Sequence, residues 1–357
     1  MNPPIRPAVV ASPDYPFTPV DAPVKLDQNE APDDFPAPLK ALALERLAAR
    51  PWNRYPDLNA EGLAARIAAH EGWPEAGVVP ATGSNVLIAQ LVALAGIGAR
   101  VLTVAPAFAL YGLDARLLGA ALTEVPLRAD LSTDVDGLLQ ALETLRRESP
   151  GSGGVLFVPR PHAPAGSLVT LDDLERLARS SEGWLLVVDE AYHHFAPDTA
   201  IALARRHPHV VLLRTMSKGW GLAALRLGWA LASDEVARQL RKLSPPFGVS
   251  TMQAACAEVA FEHAAVLHER IAGVVRERER MAEALARHPS WHAYPSAANF
   301  LLVRTPDAAR AHADLRAAGV LVRRQDALPG LAGCIRVTVG TPAENDAFLV
   351  AAGLTAR

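Results

Sequence analysis

The chain has 357 residues, 50% of them hydrophobic and 20% charged, a balance that supports a large core and argues against disorder. Its net charge of -3 leaves no electrostatic footprint for nucleic acid or an anionic membrane surface. The two cysteines, Cys256 and Cys334, are too few and too far apart for a disulfide framework or a zinc site, which suits a reducing, cytoplasmic compartment.

The start of the chain has no basic segment followed by an apolar stretch, so it does not read as a secretory leader. Residues 1–36 are rich in Pro and Asp and read as an extended arm. Apolar residues recur at helical spacing in 37–50 and 59–71. The most apolar run, Val86 to Ile97, contains Gln90 and is too short to span a bilayer. From about 80 to 230, short apolar runs predict strands at 101–104, 121–125, 154–158, 184–188, 210–213 and 226–231. Helical stretches at 84–97, 107–118, 135–147 and 171–180 separate most of them. Strands alternating with helices imply an α/β fold with a mostly parallel sheet covered on both faces. One long helical pattern covers 250–288. A smaller α+β unit follows, with strands at 298–303, 320–323 and 333–339 and helices at 306–318 and 342–353.

In such a sheet, chemistry collects where strands end and helices begin. Gly83-Ser84-Asn85 opens a helix, so its amides and dipole suit an anion. Phe108, after Pro106, could stack on an aromatic ring or simply pack in the core. Asp189 ends an apolar run, and a buried carboxylate needs a cation, such as a protonated pyridine nitrogen. Asp also caps helices, and Asp189 taken alone favours that reading. Tyr192, three residues on, points back toward the same strand end. Ser217 and Arg226 offer a hydroxyl and a guanidinium to phosphate. Lys218 lies between an apolar run and a Gly-rich turn, and is one of only four lysines, with Lys25, Lys40 and Lys242. Arginine cannot lose its proton in a protein, whereas lysine can, and a deprotonated amine condenses with an aldehyde cofactor.

That order of elements resembles the fold-type I pyridoxal-phosphate enzymes, and specifically the histidinol-phosphate aminotransferase family. The resemblance runs through nearly the whole chain. It is carried by Asn29-Glu30-Ala31-Pro32, Arg54-Tyr55-Pro56, Asp189-Glu190-Ala191-Tyr192, Arg214-Thr215-Met216-Ser217-Lys218 and Arg226-Leu227-Gly228. Near the end, Pro295-Ser296-Ala297-Ala298-Asn299-Phe300 and the run Gly333 to Pro342 look like the family's narrower signatures.

The resemblance implies pyridoxal 5'-phosphate as cofactor. It casts Lys218 as the Schiff-base lysine and proton shuttle, Asp189 as partner of the pyridine N–H, Tyr192 as donor to the phenolic oxygen, and Phe108 as the ring stacker. Gly83, Ser84, Asn85, Ser217 and Arg226 would hold the phosphate. Tyr55 would reach the phosphate of a neighbouring subunit, which implies a homodimer. Arg336, assisted by Arg323, would bind the substrate's anionic end, with Tyr15 and Asn29 also on the substrate side. The implied substrates are histidinol phosphate with 2-oxoglutarate or glutamate. The implied division is an arm (1–36), a large cofactor-binding domain (37–250, part of 37–60 lying near the small domain), and a linking helix with a small α+β domain (251–357). A related enzyme acting on aromatic amino acids or threonine phosphate, and a paralogue without catalysis, stay open as alternatives.

One segment departs from the family. Its Asn-Pro-Asn-Asn-Pro-Thr-Gly is replaced by Arg160-Pro161-His162-Ala163-Pro164-Ala165-Gly166. The second asparagine of the family's adjacent pair donates to the cofactor's phenolic oxygen, and Ala163 cannot. His162 is the nearest alternative donor, or else a solvent-facing loop histidine.

Overall fold

The computed structural model describes residues 4–13, 19–95, 98, 100–149, 151 and 153–355. Among them are twelve strands. They are β1 (Val24–Leu26), β2 (Val78–Ala81), β3 (Arg100–Ala105), β4 (Ala121–Pro126), β5 (Gly154–Pro159), β6 (Leu185–Asp189), β7 (Val210–Thr215), β8 (Gly228–Leu231), β9 (His292–Ala293), β10 (Phe300–Arg304), β11 (Val320–Arg324) and β12 (Cys334–Thr338).

A seven-stranded sheet runs in the order β2-β8-β7-β6-β5-β3-β4. Its strands from β7 to β4 are parallel, and β8 runs antiparallel to both of its neighbours. Alternation along each strand sends side chains to two separate cores. Leu156, Val158, Leu186, Val188 and Leu212 enter one, and Val155, Phe157, Val187, Val211 and Leu213 enter the other. Both faces are therefore dry, which is why these strands read as unbroken apolar runs. A second sheet, in the order β1-β11-β12-β10-β9, is backed by the helices Ala264–Leu285 and Pro342–Ala351.

Two features depart from the sequence reading. The segment read as an arm contains a short helix, Pro7–Ala11, and strand β1, which pairs in parallel with β11 and buries Leu26. The long helical pattern at 250–288 is two helices, Thr251–Glu262 and Ala264–Leu285, meeting at His263. The first has its own capping box between Ser250 and Gln253, and it packs on the helices Ala37–Ala48 and Glu61–Glu71. The second packs against the smaller sheet instead. The break thus lets one continuous apolar pattern serve two different cores.

Candidate active site

The carboxyl ends of β3, β5, β6 and β7 open onto one cleft of about 490 Å³. It is lined by Asn29, Ser84, Asn85, Phe108, Asp189, Tyr192, Ser217, Lys218, Arg226, Arg323 and Arg336. Eleven of the residues singled out from sequence therefore meet in one place. Gly83 is not part of the lining, but it lies close to Arg226, which is. Tyr55 does not line it: it is 82% exposed and stacks on Phe247 with ring centroids 4.7 Å apart. Tyr15 lies outside the described residues.

Asp189 is the last residue of β6, and the strand period sends its carboxylate into the cleft. The next residue, Glu190, is buried on the other side, bonded to Arg214, Thr199 and the amide of Ala200. Asp189 Oδ1 accepts the Ala191 amide at 3.1 Å, and Oδ2 accepts the Tyr111 hydroxyl at 2.7 Å. Burial pushes its pKa up, opposed by those two donors. A carboxylate held here needs a cation. Tyr111 belongs to none of the motifs that the sequence displays. Its position three residues after Phe108, on a helix starting at Ala109, was the available signal. It is fully buried and stacks on Phe157 at 4.7 Å.

Lys218 follows β7. Its Nζ donates to the carbonyl of Gln28 at 3.0 Å and lies 5.8 Å from the Tyr192 ring centroid. Burial, then the positive charge of Arg336, then that of Arg226, lower its pKa to about 8. An amine with that pKa is uncharged for about a tenth of the time at pH 7, far more than an ordinary lysine, and the uncharged form is the one that makes a Schiff base.

One end of the cleft is built for an anion. The helix Ser84–Leu94 begins at Gly83 with no side chain capping its first amides. Arg226, in a left-handed conformation at φ +51°, brings Nη1 to 3.1 Å from Ser217 Oγ. Thr215 Oγ1 accepts the Ser217 amide at 3.1 Å and so fixes the turn. Gly228 allows this approach, because a Cβ there would lie 2.5 Å from the Ser84 nitrogen. The other cationic end comes from the smaller sheet. Arg323 on β11 sits directly opposite Arg336 on β12, and Arg336 Nη2 donates to the Asp27 carbonyl at 2.9 Å. Two arginines directly opposite on neighbouring strands suit an anionic group.

The loop after β5 corrects both readings of His162. Its ring is fully buried, so it is neither solvent-facing nor a donor into the cleft. Nδ1 accepts the Ala165 amide at 3.3 Å, and burial lowers the pKa to about 4, which keeps the ring neutral. Arg160 anchors the same loop internally through the Val169 carbonyl, at 2.8 Å, and the Asp198 carboxylate. Pro161, Ala163 and Pro164 are what the loop presents to the cleft. Asn29 lines the cleft beside Tyr192, and its side-chain Nδ2 donates to the Tyr192 hydroxyl at 2.9 Å.

The family profile described as aminotransferase class I and II matches residues 22–351. This chain belongs to the class I and II aminotransferases. Within that family it is 48% identical to the histidinol-phosphate aminotransferase of Deinococcus radiodurans, covering 97% of this chain and 95% of that one. It is 38% identical to the enzyme of the same name from Chromobacterium violaceum, over 97% and 96% of the two chains. Among solved structures it resembles histidinol-phosphate aminotransferase from Sinorhizobium meliloti in complex with pyridoxal-5'-phosphate. That match has a TM-score of 0.86 and 26% identity, and covers 99% of this chain and 97% of that one. The aminotransferase fold is therefore present nearly end to end. Among the described residues, no group of side chains could hold a metal ion, and no helix is long and apolar enough to cross a membrane.

Proposed function

We infer that this aminotransferase moves the amino group of L-histidinol phosphate to 2-oxoglutarate, in histidine biosynthesis, with pyridoxal phosphate as cofactor. The observation that carries the reading is one cleft holding Lys218 and Asp189 between two separate cationic ends. The donor set fits the cofactor. Asp189 would hold a pyridine N–H, Phe108 would offer a ring face, and Tyr192 would offer a hydroxyl. The helix start, Ser217 and Arg226 suit a phosphate. When bound, the cofactor supplies the electron sink that makes loss of a proton next to an amine feasible. Lys218 Nζ is the base that takes the proton from the substrate's Cα, and a pKa lowered to about 8 matches that task. Arg336 and Arg323 orient the substrate through its phosphate, and in the second half-reaction through the distal carboxylate of 2-oxoglutarate.

The reading includes a homodimer whose Tyr55 reaches the neighbouring subunit's phosphate site. It is supported by the exposure of Tyr55 and of Phe247, on which it stacks, and of Leu58, whose carbonyl accepts the Phe247 amide. A cytoplasmic location accords with both cysteines being free.

The test is to supply purified protein with 2-oxoglutarate and one of three donors: L-histidinol phosphate, an aromatic amino acid or threonine phosphate. Glutamate should form fastest with histidinol phosphate, which leaves as the corresponding ketone. Preference for the aromatic donor, or carbon dioxide release from threonine phosphate without glutamate, would overturn the substrate assignment.

A further inference from the structure

Asn29 is 1% exposed and held at φ +56°, and all four of its polar groups are engaged. Its amide N–H donates to Thr338 Oγ1 at 2.9 Å, and its carbonyl accepts from Asn299 Nδ2 at 3.1 Å. Its side-chain oxygen accepts the Thr338 hydroxyl at 3.2 Å, and its side-chain nitrogen donates to the Tyr192 hydroxyl at 2.9 Å. The oxygen and nitrogen of an amide have nearly the same shape, so only the hydrogen-bond network decides which faces which partner. Reversing this amide would leave the buried Thr338 hydroxyl proton without its acceptor, a desolvation penalty that nothing offsets. The Tyr192 oxygen is therefore an acceptor toward Asn29, and its single proton must point elsewhere. The ring is held in place by its edge contact with Phe300, at 5.3 Å, and it lines the cleft with Lys218 and Ala163.

Across that cleft, the loop after β5 presents the methyl group of Ala163 where the family pattern has an asparagine donor, and His162 is turned into the core. A phenolic oxygen bound between them depends on the Tyr192 hydroxyl being aimed correctly. We propose that Asn29 is a positioning residue: with Thr338 it fixes the Tyr192 proton toward the cleft and so offsets the donor missing at position 163. The proposal rests on the cofactor reading above.

The consequence is spectroscopic. A phenolic oxygen that loses a donor keeps more negative charge, and the protonated nitrogen beside it holds its proton more tightly. The pH midpoint of the bound cofactor's absorbance change should therefore rise. Asn29→Gly removes the amide while tolerating the left-handed backbone, and should raise the midpoint by about half to one pH unit. In a Tyr192→Phe background the same substitution should add nothing, because the residue acts through that hydroxyl. Ala163→Asn should lower the midpoint in the otherwise unaltered protein and reverse the rise in Asn29→Gly. Thr338→Val should raise it and Thr338→Ser should leave it in place, which tests the same network without touching Asn29.

An unmoved midpoint in Asn29→Gly and Thr338→Val, or an equal rise with and without the Tyr192 hydroxyl, would overturn the inference. Unaltered protein with no titrating band at all would overturn the cofactor reading, and this inference with it. A normal band that the variants do not move would overturn this inference alone.

Discussion

Asp189 can hold a pyridinium only while it remains a carboxylate, and its burial works against that. Tyr111 supplies the counterweight, with a hydroxyl 2.7 Å from Oδ2 on a ring clamped against Phe157. A hydrogen bond to the charged form of an acid lowers its pKa, so removing the donor raises it further. Tyr111→Phe should therefore weaken cofactor binding about tenfold at neutral pH, the equivalent of one hydrogen bond to a charged group. The loss should deepen as pH falls, because a larger share of Asp189 is then protonated. Dissociation constants measured against pH for the variant and the unaltered protein check this. Parallel profiles would assign Tyr111 to packing alone.

At the scale of elements, the phosphate end of the cleft depends on how closely one helix start approaches β8. Gly83 holds φ +91° and ψ 153°, a region that side-chain-bearing residues rarely adopt, and a Cβ there would lie 2.9 Å from Arg226 Nη2. Gly83→Ala should destabilise the protein by about 1–3 kcal/mol through backbone strain. It should also weaken inorganic phosphate binding by displacing the guanidinium from Ser217. Calorimetry and phosphate titration read the two effects separately, and an unchanged phosphate affinity would remove Arg226 from the anion site.

The residues at these junctions were legible because function sits at strand ends, and buried parallel strands are conspicuous as apolar runs. What escaped was local or short. Strand β2 has only four residues and includes Pro80, and β1 has three, so neither carries a usable period. The break at His263 is invisible in a pattern whose apolar positions stay in phase across it. His162 was misread because the inward turn of its loop is fixed by Arg160 and Asp198, a contact between distant segments. The Asn29–Tyr192 bond likewise joins residues 163 positions apart, and β1 reaches it only through pairing with β11.

For the whole molecule, the site of a single chain lacks Tyr55, which faces outward among exposed apolar neighbours. If each site borrows that tyrosine from a second copy, two defective variants can repair one another. Lys218→Ala and Tyr55→Ala proteins, each impaired alone, should regain activity when unfolded and refolded together. The mixed dimer holds one site with both residues, so an equal mixture approaches about a quarter of normal activity. Activity no greater than the average of the separate proteins would show that Tyr55 does not serve a neighbouring subunit's site.

On this reading an uncharged Lys218 amine would bind the cofactor covalently while Asp189 held its ring. The most direct measurement is borohydride trapping of pyridoxal phosphate on the apoprotein across a pH series, followed by peptide mapping. The expected result is a label on Lys218 alone, with capture rising through a midpoint near the lowered pKa of about 8. Label on Lys25, Lys40 or Lys242, no label at all, or a midpoint near the ordinary lysine value of 10.5 would contradict it.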